Sequence, residues 1–289
     1  MRKEIGFIGL GKMGEPMVQR LKRKKWRVLT FDKYVRGNVR TLTEFVEKLS
    51  SPRVIWLMIP SGKPVDEIIW KLAGLLAKGD LVIDGGNSFF KDSQRRAARL
   101  KKKEIHYLDI GISGGPVSII QGRFAIMVGG EKRVYTKVCP LFKALSDTPS
   151  GYMGKSGAGH FAKMVHNGIE YGMMQALAEG FTLLKRSPFP FRLRDVAKVY
   201  NQNSIITSRL TDWLEQGFKM YGEDLNKASG TIAHTGEGEW TVKTAKELKL
   251  LVPVIKRAFD FRIQSKKNPS YTGKVLSMLR AVFGGHKIC

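Results

Sequence analysis

Residues 163–171 read Lys-Met-Val-His-Asn-Gly-Ile-Glu-Tyr. In a helix of about 3.6 residues per turn, Lys163, His166, Asn167, Glu170 and Tyr171 share one face, while Met164, Val165 and Ile169 turn away to pack. A rigid rod bearing an amine, an imidazole, an amide, a carboxyl and a phenol on one side offers a base, an acid and fixed hydrogen bonds together. The alternative is a solvated face with a Lys–Glu pair. His166 and Glu170 also have the spacing of a metal pair, but no third ligand is evident and no metal is expected.

Such a helix needs a scaffold, and the N-terminal half describes one. A short apolar strand runs straight into Gly9-Leu10-Gly11-Lys12-Met13-Gly14, and a helical stretch follows. In that context Gly-x-Gly-x-x-Gly marks a dinucleotide turn. The first glycine allows the tight turn, the second admits a pyrophosphate, and the third lets helix and strand pack. A second strand ends at Asp32, placed to accept from a ribose 2′-hydroxyl. Its charge disfavours a 2′-phosphate, so NAD is preferred over NADP, although Lys33 and Arg36 partly compensate.

Further strands over residues 54–59, 80–84 and 105–109 end in turns rich in Gly, Ser and Asn. Ligands of open α/β sheets bind at such ends. Ile59, Pro60, Ser61 and Asn87 are therefore cofactor candidates. Asn87 with Ser113, Gly114 and Gly115 supplies donors for a carboxylate or hydroxyls. Plain turn chemistry is the competing reading for each loop alone. After residue 154 the pattern becomes helical almost to the end. The expected fold is an α/β Rossmann-type doubly wound domain (residues 1–154) followed by an all-α domain (residues 155–289).

Of 289 residues, 50 are Lys or Arg and 25 Asp or Glu, a net charge of +25. The field attracts anions. Six of the eight residues in 20–27 are basic, and residues 95–103 are similarly dense. Both read as solvated helix faces. They lack interleaved aromatics arranged as a stacking platform, so nucleic acid is not the expected partner. Two distant cysteines, no apolar run of about 18 residues and no cleavable hydrophobic leader point to a reducing, cytoplasmic setting without a membrane span.

Residues 6–14, 113–115 and 157–167 resemble the β-hydroxyacid dehydrogenase superfamily. Residues 84–88, 166–171 and 280–286 are similar to the decarboxylating 6-phosphogluconate dehydrogenases in their short form, and the resemblance runs nearly end to end. It implies oxidative decarboxylation of 6-phospho-D-gluconate to ribulose 5-phosphate, with Lys163 as base and Glu170 as acid. By the same resemblance His166, Asn167, Asn87 and Ser113-Gly114-Gly115 would hold the carboxylate and hydroxyls. Tyr171 and Arg262 would take the phosphate, with Arg280 and His286 arriving on the tail of a neighbouring subunit in a homodimer or larger homo-oligomer.

The sequence departs from the family where long-form members carry a phosphate-binding lysine before Gly-Thr-Gly-Lys-Trp-Thr. Here Thr235 precedes Gly236-Glu237-Gly238-Glu239-Trp240-Thr241. That leaves room for a gluconate-type substrate. A non-decarboxylating 3-hydroxyacid dehydrogenase would share Lys163 and Asn167 without needing Glu170. A basic nucleic-acid-associated pseudoenzyme would need neither Lys163 nor Glu170.

Overall fold

The computed structural model describes residues 2–35, 37–285 and 287–288. The chain divides into two compact units, Met1–Lys163 and Met164–Cys289, and the division falls inside one long helix.

The first unit is built on seven strands: β1 (Glu4–Ile8), β2 (Arg27–Phe31), β3 (Val54–Leu57), β4 (Leu81–Asp84), β5 (His106–Ser113), β6 (Ala125–Gly130) and β7 (Gly151–Gly154). Their order is β2-β1-β3-β4-β5-β6-β7. All neighbours are parallel except β5 and β6. Apolar runs such as Val54-Ile55-Trp56-Leu57 suit strands covered on both faces.

Helices α1 (Gly14–Arg23), α5 (Pro116–Gln121) and α6 (Lys132–Leu145) enclose one core, with Met17, Leu21, Trp56, Ile119, Val138 and Phe142 buried. Helices α2 (Leu42–Glu47), α3 (Lys63–Leu75) and α4 (Phe90–Lys101) enclose the other, with Phe45, Ile55, Val65, Ile69 and Leu100 buried. The sheet is doubly wound. β5 runs further than its apolar stretch suggests. Residues 110–113 pair antiparallel with β6, so Gly111 and Ser113 are ladder residues and the turn begins at Gly114.

Helix α7 (Ala158–Arg186) supplies the end of the first unit and the start of the second. The second unit continues with α8 (Leu193–Tyr200), α9 (Arg209–Tyr221), α10 (Glu237–Glu247), α11 (Pro253–Ser265) and α12 (Tyr271–Gly284). Met174, Phe181, Leu214, Phe218, Val275 and Leu279 form its core. Gly217 lies inside α9, where a Cβ would crowd Met278 on α12. Of the two basic runs, neither is wholly solvated. Arg20 is buried and pairs with Asp147 at 2.6 Å, and Arg96 is 0% exposed.

Candidate functional site

In the first unit the glycine turn has the geometry a pyrophosphate needs. Gly9 sits at φ +101°, and a side chain there would strike the Met58 carbonyl. A side chain at Gly14 would strike the Gly9 carbonyl, so the start of α1 lies tight against the turn. A Cβ on Gly11 would meet nothing within 4 Å. One glycine therefore makes the bend, one the close packing, and one leaves the approach open, beside the amino end of α1. Leu10 is buried, Lys12 exposed, and Met13 is the residue before the helix.

Asp32 closes this turn. Its Oδ2 accepts from the Leu10 N–H at 2.7 Å, and its Oδ1 from the N–H groups of Tyr34 and Val35 at 2.7 and 3.0 Å. Burial pushes the carboxyl upward, but the three backbone donors outweigh it and hold the group below the usual aspartate value. An ionised carboxylate thus stands at the end of β2, next to the open glycine turn. Lys33 is exposed, with its ammonium 5.5 Å from the Tyr34 ring centre. Arg36 lies outside the described residues. These residues fit a dinucleotide.

Ile59, Pro60 and Ser61 follow β3, and a Cβ on Gly86 would touch the Ile59 carbonyl at 2.8 Å, so the turns after β3 and β4 lie together. A buried polar network holds both turns. Asp84 Oδ2 accepts from Ser88 at 2.9 Å, Tyr107 at 3.0 Å and Arg96 at 3.1 Å. Arg96 also donates to Asp66 at 2.8 Å, to Ser88 at 2.9 Å and to the Gly62 carbonyl at 3.2 Å. Burial lowers the Arg96 guanidinium, yet Asp66 and Asp84 together raise it above its ordinary value. Burial and the charges of Asp84 and Asp109 push the Tyr107 phenol far up, which keeps it a donor.

Beside this network, half-buried Asn87 lies in the turn that follows β4. His160 fixes the same turn from α7. Its Nε2 is 3.1 Å from the Gly86 carbonyl, which only accepts, so Nε2 carries the hydrogen. Its Nδ1 lies 2.7 Å from the Ser93 hydroxyl. Asp109 receives the N–H groups of Gly157 and His160 at 2.6 and 2.9 Å, capping the start of α7. In the second turn of that helix stands Lys163, half-buried, its stem against Gly111, where any side chain would collide with it. Ser113 ends β5. Gly114, at φ +148°, packs on Phe124, and Gly115 precedes α5.

In the second unit α7 carries His166, Asn167, Glu170 and Tyr171. His166 Nδ1 is 3.0 Å from Asn167 Oδ1 and 3.7 Å from Glu170 Oε2. Asn167 Nδ2 donates to Glu237 Oε1 at 2.9 Å. Tyr171 is buried, with the Arg262 guanidinium 3.6 Å from its ring centre on one side. Gly238 lies against the same ring and has no room for a Cβ. Arg262 is 1% exposed, and its Nε has no hydrogen-bond partner among the described residues.

Burial lowers the Arg262 guanidinium to about 10; Tyr171, Glu170 and Glu237 oppose that, while Arg280 adds to it. Arg262 and Arg280 both donate to the Ala233 carbonyl, at 3.3 and 2.7 Å. Two guanidiniums thus converge on one oxygen, offering donors that an anion can use, with Glu170 and Glu237 acting on Arg262 from the other side. Arg280 reaches this place from α12 of its own chain. His286 lies outside the described residues. Met164 is buried as expected, whereas Ile169 is 52% exposed.

Asp84, Arg96, Asp109, His160 and Glu237 are the organising residues that sequence reasoning passes over. An acid inside an apolar strand, as in Leu81-Val82-Ile83-Asp84, is the available signal, because a buried carboxylate must have partners. Arg96 is hidden in a basic run, and Glu237 between two glycines.

Residues 4–154 match the family described as the NAD binding domain of 6-phosphogluconate dehydrogenase, and residues 159–274 match its C-terminal domain. YqeC of Bacillus subtilis (strain 168) is 40% identical over 98% of this chain and 98% of its own. The NAD(+)-dependent, decarboxylating 6-phosphogluconate dehydrogenase of Haloferax volcanii is 36% identical over 99% of this chain and 98% of its own. Plasmodium falciparum 6-phosphogluconate dehydrogenase has been solved apo, with its cofactor NADP+ and with its substrate 6-phosphogluconate. It aligns at a TM-score of 0.76 with 26% identity, covering 96% of this chain and 70% of that chain.

The fold and the glycine turn are those of an NAD(P)-binding oxidoreductase. The chain belongs to the 6-phosphogluconate dehydrogenase family. Among the described residues no helix is long and apolar enough to cross a membrane.

Proposed function

We propose that the chain oxidatively decarboxylates 6-phospho-D-gluconate to ribulose 5-phosphate and carbon dioxide, preferring NAD over NADP. The observation that carries this reading is the single unbroken helix α7, with Lys163 and Glu170 seven residues apart. Two turns of helix separate them by about 10 Å along the axis. One helix face thus offers a base for the proton that leaves the C3 hydroxyl and an acid for the proton that arrives at carbon.

Bound nicotinamide supplies the acceptor for the hydride of C3. Lys163 takes the C3 hydroxyl proton. The resulting 3-keto acid loses its carboxylate as carbon dioxide, and the electrons of the broken C–C bond remain as an enediolate. Glu170 then delivers a proton to the carbon that becomes C1 of ribulose 5-phosphate. His166 and Asn167, with Asn87 and the Ser113-Gly114-Gly115 turn, hold the hydroxyls and the carboxylate. Tyr171, Arg262 and Arg280 hold the phosphate, a role supported by the convergence of the two guanidiniums on the Ala233 carbonyl.

The NAD preference is supported by Asp32, kept ionised beside Gly11. A homo-oligomer in the cytoplasm completes the reading. The test is initial-rate nicotinamide reduction with 6-phosphogluconate or gluconate, each with NAD and NADP. The expected result is turnover with 6-phosphogluconate, faster with NAD. Turnover with gluconate alone would move the function to an unphosphorylated acid and make Thr235 and Glu239 the decisive departures.

A further inference from the structure

We infer that Glu237 is a positioning residue: its carboxylate sets the side-chain amide of Asn167 and, through it, the imidazole of His166 beside Glu170. This rests on the reading of His166 and Asn167 as substrate contacts, and adds a residue from a different helix to them.

The chain of atoms runs in one direction. Glu237 Oε1 only accepts, so the group 2.9 Å away is the Asn167 NH2, and the amide oxygen faces the other way. That oxygen lies 3.0 Å from His166 Nδ1, which must therefore carry hydrogen. The same Nδ1 lies 3.7 Å from Glu170 Oε2. A carboxylate on α10 thus selects an amide orientation, and the amide selects a histidine tautomer next to the proposed acid.

Glu237 is well placed to impose this order. It is 3% exposed and opens α10, where a negative charge is favourable. Gly236, at φ +101°, precedes it, and Gly238 follows with no space for a side chain against Tyr171. The Thr241 hydroxyl lies 2.8 Å from the Glu237 carbonyl oxygen and 2.9 Å from that of Met164, tying the first turn of α10 to α7. The backbone on both sides is pinned, so the carboxylate meets Asn167 without a large ordering cost. Were the acid absent, the Asn167 amide would lose its charged acceptor and could turn its NH2 toward His166.

The experiment compares the full chain with Glu237→Gln and Glu237→Ala in steady-state assays with 6-phosphogluconate and NAD. A charge-assisted bond is about twice as strong as a neutral one, so the effect should be graded. We expect kcat/KM for 6-phosphogluconate to fall about fivefold in the Gln variant and about fiftyfold in the Ala variant. The KM for NAD should stay within about twofold, since Glu237 belongs to the helical unit. Two results would overturn the inference: kcat/KM within about twofold of the parent in both variants, or a parallel rise in the KM for NAD, the mark of general destabilisation. Should the Ala variant not fold, the Gln variant decides by the same criteria. A parent chain inactive on 6-phosphogluconate with either nicotinamide is a separate result, which removes the functional reading and this inference with it.

Discussion

The turn after β4 and the polar face of α7 both hold polar groups, but by different means. At the turn, Asp84 Oδ2 receives three donors and Arg96 serves four acceptors, all from one unit and mostly buried. On α7, Asn167 depends on Glu237 and His166, and Tyr171 lies between a guanidinium and a glycine. The first arrangement is a cross-linked network, in which removal of one member leaves buried charge behind. The second is a chain of pairwise contacts, in which removal of one member loosens its neighbour. Damage to the first should appear as lost stability, and damage to the second as lost activity in a folded protein.

The largest expected effect lies on the helix. Lys163→Ala should lower kcat by about a thousandfold or more while leaving the midpoint of thermal unfolding nearly unchanged. A comparable loss of melting temperature would mean that the lysine belongs to the network side of the comparison. Glu170→Gln should lower formation of ribulose 5-phosphate by about a hundredfold, measured as carbon dioxide release under saturating NAD. Unchanged turnover would remove the acid assignment.

Network variants come next, read in kcal/mol of stability. Arg96→Leu leaves Asp84 buried without its cation and should cost about 3–5 kcal/mol in urea unfolding. Gly9→Ala imposes a side chain at φ +101° against the Met58 carbonyl and should cost about 1–3 kcal/mol, with weaker NAD binding.

Asp32 separates the two kinds of effect most finely. Asp32→Ser removes a charged acceptor and should shift the NAD/NADP ratio of kcat/KM by about ten- to a hundredfold toward NADP, equivalent to ~1.4–2.7 kcal/mol. The smallest effect is on pH dependence. The folded-state pKa of Asp32 is depressed, so its contribution to stability is complete above the ordinary aspartate value and is lost as pH falls through the folded value. Asp32→Asn should therefore flatten the acid limb of stability, measured by urea unfolding between about pH 5 and pH 3.

The same contrast decides what could be read from the chain itself. The doubly wound sheet and the glycine turn are legible because their signals are local: apolar runs of strand length, a glycine spacing, and an acid ending the second strand. The polar face of α7 is legible from helical period alone. What could not be read are partnerships over long separations. Nothing local joins Asp84 to Arg96, and the basic run around Arg96 hides an arginine that is wholly buried. Glu237 looks like a departure from a motif, and its contact with Asn167 spans 70 positions. The end of β5 is hidden for a related reason. Gly-rich residues read as a loop, and only pairing with β6 makes residues 110–113 strand.

The most direct test of the central claim is the stoichiometry of carbon dioxide to reduced nicotinamide, with 6-phosphogluconate as substrate. One carbon dioxide per reduced NAD, abolished in Glu170→Gln, is the result this account predicts. Reduction of NAD without carbon dioxide would contradict it and point to a non-decarboxylating hydroxyacid dehydrogenase built on the same helix.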